Sequence, residues 1–303
     1  MTLIIDRNLT LPDLPEVPDS LPMYRVTRTR SLSRGDAEVR RQIERKVERW
    51  SGVFPVDAER ADLGDRILYL DDDAALEVFV PSDSVWWSDR TTAFAERPPE
   101  DPLPEPDEAA ELAKRLVEEL DVAGDELRLR DVSPVNAGSS ASPKDDAGRE
   151  PVATGVTVSF GYALGDLPVV GPGARIRVSY TGGGKLAEFA RFWREPELAG
   201  EVRTVHPLRA VDRFASDGRF ADVDKGGLSV EVDDFRLALY AAGPSAFQRF
   251  LVPVYEVRGR VRGGELEQDV FDVYVAAVDI GEADLKRSMV RDRPVFRPVF
   301  TGF

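Results

Sequence analysis

Carboxylates are the only reactive groups this chain holds in quantity: 55 Asp and Glu stand beside a single histidine, His206, and no cysteine in 303 residues. Three consecutive acids, Asp71-Asp72-Asp73, supply the hard oxygen donors that a calcium ion takes. A calcium loop spaces its acids and sets a glycine between them, so this run reads instead as an exposed hairpin turn. Asp233-Asp234 is a thinner version of the same pattern. Without cysteine there is no disulfide, no thiolate zinc site and no cysteine nucleophile. One imidazole cannot build a histidine metal site. A Ser-His-Asp triad would have to use His206, but no Gly-x-Ser-x-Gly turn exists to present the serine. His206 stands directly before Pro207 at the start of a helical stretch, the place of a cap. Gly171-Pro-Gly173 and Gly182-Gly-Gly184 lack the Lys-Ser/Thr that a phosphate loop needs and read as turns. The residues therefore nominate no catalytic group, no metal ligand and no cofactor. Paired carboxylates do acid–base work only where a pocket raises one pKa. Together with Tyr162, Tyr180, Tyr240 and Tyr255 they keep open a second reading, an enzyme working in a cleft between modules.

Side chains suited to binding are better marked. Trp86-Trp87 lies in an extended stretch, where consecutive side chains point to opposite faces. One of the pair then enters the core and the other stands on the far face, as an anchor for a partner or as packing against a neighbouring module. In the C-terminal tail, Arg293-Pro-Val-Phe296 repeats as Arg297-Pro-Val-Phe300 and Phe303 ends the chain. Prolines bar that tail from a central strand, and its aromatics are too apolar for an idle end. It either docks in a groove of another protein or subunit, or folds back on its own last module.

A net charge of −15 and a pI near 4.7 exclude the basic stripe that nucleic acid or an anionic membrane surface requires. No apolar run approaches 18 residues, so membrane insertion is not expected. The N-terminus has neither a basic lead nor a long apolar segment, which predicts a cytoplasmic chain, with envelope association left open.

The elements that must position these groups recur in one order. Helical periodicity marks residues 34–50 through Val39, Ile43, Val47 and Trp50, residues 107–120 through Leu112, Leu116 and Leu120, and a stretch from Pro207 through Leu208, Val211 and Phe214. Alternating apolar runs after each helix read as antiparallel strands. The resulting expectation is an α+β fold of three tandem modules, each one helix packed on an antiparallel β-sheet. Its parts are a Pro-rich arm (1–22) lying extended, module one (23–94), a Pro-rich linker (95–106), module two (107–197), module three (198–280) and the aromatic tail (281–303).

Leu167-Pro-Val-Val-Gly-Pro-Gly-Ala-Arg-Ile176, Phe192-Trp193-Arg194 and Leu251-Val-Pro-Val-Tyr-Glu-Val257 resemble bacterial proteins that carry PepSY-like or YpeB-like α+β modules. The resemblance covers residues 23–280 and rests on structural motifs. It implies interaction with cell-wall enzymes, or inhibition or chaperoning of a peptidase. It carries over no catalytic residue, and this chain departs from it in lacking an export signal. The residues and the resemblance together predict a non-enzymatic protein- or peptide-binding or scaffold protein. It would act through sheet edges, through Trp86 or Trp87 and through Phe296, Phe300 and Phe303, on a protein or peptide partner that includes a second copy of itself as a possibility.

Overall fold

Each predicted helix carries only a narrow apolar stripe, so none can bury its face without a broad sheet beneath it. The computed structural model describes residues 3–6, 9–27, 37–93, 95, 97–124, 126–137, 152–215, 229–262 and 269–279. Among these, the N-terminal arm forms β1 (Leu3–Asp6) and β2 (Leu9–Leu11), followed by β3 (Ser20–Val26). Helix α1 (Ala37–Trp50) leads into β4 (Arg60–Asp62), β5 (Arg66–Leu70), β6 (Ala74–Phe79) and β7 (Ser84–Asp89). Helix α2 (Pro106–Glu119) leads into β8 (Leu127–Asn136), β9 (Ala153–Leu164), β10 (Leu167–Val170), β11 (Arg175–Tyr180), β12 (Leu186–Phe192) and β13 (Pro196–Arg203). Helix α3 (Pro207–Ala215) precedes β14 (Ser229–Tyr240), β15 (Phe250–Arg262) and β16 (Asp269–Ala276).

The three helices lie where the periodicity places them, but the modules do not hold as separate sheets. All sixteen strands belong to one hydrogen-bonded network, a large mixed sheet that takes up half of the described residues. The expectation of three modules, each a helix on its own sheet, is thus corrected. The reason lies in the strand ends. Strand β7, the last before α2, pairs antiparallel with β12, joining Phe189 to Trp87 and Ala190 to Trp86. The run β4-β5-β6-β7-β12-β11-β9-β8 is therefore continuous and antiparallel throughout. An open edge at β7 or β12 would leave a row of unpaired peptide groups and invite foreign strands; joining the two removes both edges. Under that seam α1 and α2 share a single core. Ile43 and Trp50 from α1, Ala109, Ala113 and Val117 from α2, and Phe54, Trp87, Val178 and Phe189 lie in one apolar cluster. Phe54 stacks on Phe189 at 4.9 Å and lies tilted against Trp87 at 5.5 Å.

A second stretch of sheet is centred on β14 and β15, with α3 against it through Ala210, Val211 and Phe214. Strand β10 links the two stretches, pairing antiparallel with β9 and parallel with β14 through Val169–Leu239 and Val170–Tyr240. The Pro/Gly corner after β10 makes this link possible. Gly171 sits at φ +91°, and a Cβ at Gly173 would run into the Ala242 carbonyl. The N-terminal arm also differs from expectation. Strand β2 precedes the prolines and runs parallel to β14, with Leu11 fully buried, and Pro22 at the end of the arm lies inside β3, which pairs with both β13 and β15. The Asp71–Asp73 run is a hairpin turn between β5 and β6. There Asp71 accepts from the backbone N–H groups of Asp57, Asp73 and Ala74, which hold its carboxyl below the ordinary range.

Candidate binding face

On β7 the side chains alternate. Val85 and Trp87 enter the core beneath α1 and α2, while Ser84, Trp86 and Ser88 stand on the opposite face of the sheet. Of the two tryptophans, Trp87 is therefore a core residue, 4% exposed, and Trp86 is the one left partly open. Across the strands Trp86 is flanked by Glu77 and Ala190. Small residues surround it: Ala75, Ser84, Ser88 and Ala190 are all buried. The hydroxyls of Ser84 and Ser88 have no hydrogen-bond partner among the described residues. Phe192 follows on β12, edge-on to Phe79 at 6.0 Å and under the Arg175 guanidinium at 5.6 Å.

The same face continues toward β8 as a basic patch. The β8–β9 register slips between Leu129 and Asp131, which leaves Arg130 as the extra residue of a bulge. A bulge re-aims its side chain, and Arg130 crosses β9 to donate to the Val169 carbonyl at 2.5 Å. Gly161 permits the crossing, because a Cβ there would overlap the guanidinium. Arg175 comes alongside, one residue beyond the Ile176–Phe160 pair. Burial pushes both guanidinium groups below their ordinary range. Arg177 adds to this at Arg175, and Glu256 opposes it at Arg130. Arginine does not give up its proton in proteins, so the shift marks the partly buried Arg175 as a poorly solvated charge, while Arg130 stays exposed to water.

Beyond Arg130 lies a matched charge network on the second stretch of sheet. Glu256 is 1% exposed and accepts from Arg236 and from Arg258, each at 2.6 Å. Asp272 faces Arg258 at 3.8 Å and accepts from the Tyr274 hydroxyl at 3.1 Å, and the Tyr274 ring meets Tyr240 at 4.9 Å. Burial, then the neighbouring Glu256, raises the Asp272 carboxyl above its ordinary range. A raised carboxylate stabilises the fold only while protonated, and that contribution is lost as pH climbs through the raised value. Because Asp272 is 43% exposed and faces Arg258, solvent screens most of this effect, and Asp272→Asn, which cannot ionise, is expected to melt at most slightly above the wild type at neutral pH and to converge with it near about pH 3. Melting temperatures across that range check it; an offset that ignores pH would mean the effect is packing.

The four tyrosines that kept an enzyme reading open do not gather at one place. Tyr162 is buried, stacks on Trp193 at 3.9 Å and donates to the Arg194 carbonyl. Tyr255 donates to the Val205 carbonyl at 2.6 Å, with burial pushing its phenol up to about 12. Tyr180 is core, and Tyr240 lies against Tyr274. His206 borders a cleft of about 580 Å³ with Asp19, Glu201 and Arg203. Its Nδ1 accepts from the Leu208 N–H at 3.3 Å, the cap expected before Pro207, and Glu201 accepts from the Ser20 hydroxyl. A second cleft of about 350 Å³ lies past α2, where Arg191 donates to the Val122 carbonyl. Phe296, Phe300 and Phe303 lie outside the described residues. Arg130 and Arg175 escaped the sequence reading. The alternation of Arg175 and Arg177 with Ile176 and Val178 was its only signal, and nothing in the run 127–131 announced a bulge.

No family model matches the chain, and no curated protein does. Solved structures do resemble it. An uncharacterised protein from Eubacterium rectale is 11% identical over 92% of this chain and 91% of its own length, with a TM-score of 0.53. The Bacillus megaterium YpeB C-terminal domain is 11% identical over 83% of this chain and 95% of its own length, with a TM-score of 0.36. YycH from Bacillus subtilis is 12% identical over 86% of this chain and 55% of its own length, with a TM-score of 0.42. The first likeness shows a shared fold. The YpeB resemblance read from the sequence is met among these structures as a weak likeness, and at such scores nothing about activity is drawn from it or from YycH. Among the described residues, no helix is long and apolar enough to cross a membrane.

Proposed function

We propose that this chain is a non-enzymatic protein- or peptide-binding protein, and that the face carrying Trp86 is where it binds. The observation that carries this reading is the company Trp86 keeps. A partly open indole stands among small residues, with an aromatic-backed guanidinium nearby. Sheet edges, the other surface the sequence suggested, are mostly blunted. Strand β4 has three residues, all exposed, and β8 and β13 carry Pro134 and Pro196. Strand β16 differs: it runs eight residues without proline and pairs, among the described strands, with β15 alone. It carries Asp272 and Tyr274, so a peptide leaving the face has an edge to pair with. The aromatic tail, through Phe296, Phe300 and Phe303, belongs to the same proposal as a second contact.

Panning a random nonapeptide library on the full chain tests this. Selected peptides are expected to blue-shift the tryptophan fluorescence and to bind Trp86→Ala at least about tenfold more weakly, the loss of a central aromatic anchor. Peptides that bind Trp86→Ala as well as the wild type would remove the reading.

A further inference from the structure

Arg130 and Arg175 carry charges that the acids around them offset only from a distance. They lie side by side over Gly161 and beside Phe192, on a chain whose net charge is −15. Like charges this close repel, and although Arg130 is open to water, Arg175 is partly buried, which weakens the screening on its side. Neither is in an ion pair within 4.0 Å among the described residues. Arg130 has one hydrogen bond, to a neutral carbonyl, and the Nε of Arg175 is buried with no partner among the described residues. Arg236 and Arg258, by contrast, are matched by Glu256 and Asp272. A bulge and a glycine are both spent on bringing the Arg130 charge to this place. Glu256 acts on Arg130 and Glu188 on Arg175 through charge alone, and neither acid forms an ion pair with them among the described residues.

We infer that Arg130 and Arg175 form a receptor for a carboxylate borne on an acidic peptide segment, whose apolar residue lies against Trp86. The inference rests on the binding face proposed above. A guanidinium presents planar, paired donors that fit a carboxylate, and the Phe192 ring behind Arg175 holds its plane. A singly charged carboxylate suits the site better than a phosphate, because Glu256 lies within electrostatic reach of Arg130 and would repel a dianion. The strand register also sets a spacing. Trp86 pairs with Ala190, and Ala190 with Arg177. Arg175 is therefore two strands across from Trp86 and two residues along, about 12 Å away at ordinary strand spacing. An extended peptide covers that span in about three or four residues.

Panning the nonapeptide library in parallel on the wild type, Arg175→Met and Arg130→Met tests it. Peptides from the wild type are expected to carry Asp or Glu three or four residues from an aromatic or aliphatic residue. On the Arg175→Met protein the acid is expected to drop to background while the apolar residue persists. An acid that persists on both variants, or never appears, overturns the carboxylate receptor and leaves the Trp86 reading standing. A second measurement does not depend on peptides. Arg175→Met is expected to raise the melting temperature of the free chain by about 2 °C or more. Acetate, compared with chloride at equal ionic strength, is expected to raise the wild-type value but not that of Arg175→Met. A melting temperature that falls on substitution, in a wild type indifferent to acetate, would assign Arg175 to structure alone and end the proposal even if no peptide bound.

Discussion

Replacing Arg194 by methionine is expected to lower the melting temperature by about 10 °C, the equivalent of roughly 3–4 kcal/mol in a chain of this size. Arg194 is 1% exposed. One of its Nη atoms lies 3.2, 2.6 and 2.8 Å from the carbonyl oxygens of Ala242, Gly243 and Ala246. Those carbonyls belong to the loop between β14 and β15, where the two stretches of sheet meet. Gln248, fully buried, holds the same loop by accepting from the Ala242 N–H and donating to the Tyr240 carbonyl. The Gly173 N–H donates to Ala241 on the opposite side. Methionine has nearly the right length and none of the donors. It would take their Arg194 donor from the Ala242 and Ala246 carbonyls, at a cost of about 1–3 kcal/mol each where they stay buried, while the Gly243 carbonyl keeps the Ala246 N–H. Lysine is expected to recover little, because one ammonium on a flexible stem does not reproduce the fixed fork of a guanidinium. Hydrogen exchange should locate the damage: amides of residues 241–248 should lose protection before those of β5 and β6. A loss below about 1 kcal/mol would mean that the loop is held by its other contacts.

Phe189→Ala is expected to cost about as much, roughly 3–5 kcal/mol by the usual penalty for emptying a large aromatic site in a core. Phe189 is fully buried on β12, pairs with Trp87 across the β7 seam and stacks on Phe54. The character of the transition matters as much as its midpoint. Because α1 and α2 share one core across that seam, a single cavity there is expected to destabilise residues 37–192 as one unit, with one calorimetric peak for that region. Two separately melting pieces, one spanning β4 to β7 and the other β8 to β12, would restore the modular reading that the continuous sheet displaces. Leu198→Ala is the control, since Leu198 is 64% exposed and a change there should stay within about 0.5 kcal/mol.

What was legible from residues alone was local. The 3.6-residue stripes of Ile43, Val47 and Trp50, and of Leu112, Leu116 and Leu120 with Ala109 and Ala113, locate their helices because a helix face is written in contiguous sequence. The alternation through Val156, Val158 and Phe160 and through Ile176, Val178 and Tyr180 locates β9 and β11 for the same reason. Two adjacent tryptophans had to part to opposite faces, and they do. The absence of cysteine, the lone histidine and the acidic balance by themselves bound the chemistry.

Which strand lies beside which was decided only in three dimensions. Strands β7 and β12 are some hundred residues apart in the chain, and nothing in either segment names the other, since pairing depends on which edges remain unpaired once the rest has folded. The same holds for the basic patch. Arg130 meets Arg175 because a bulge turns one strand and a glycine clears the next, and the repulsion they share exists only where the fold brings them close. Periodicity is a property of a segment; a charge without its counterion is a property of the whole fold.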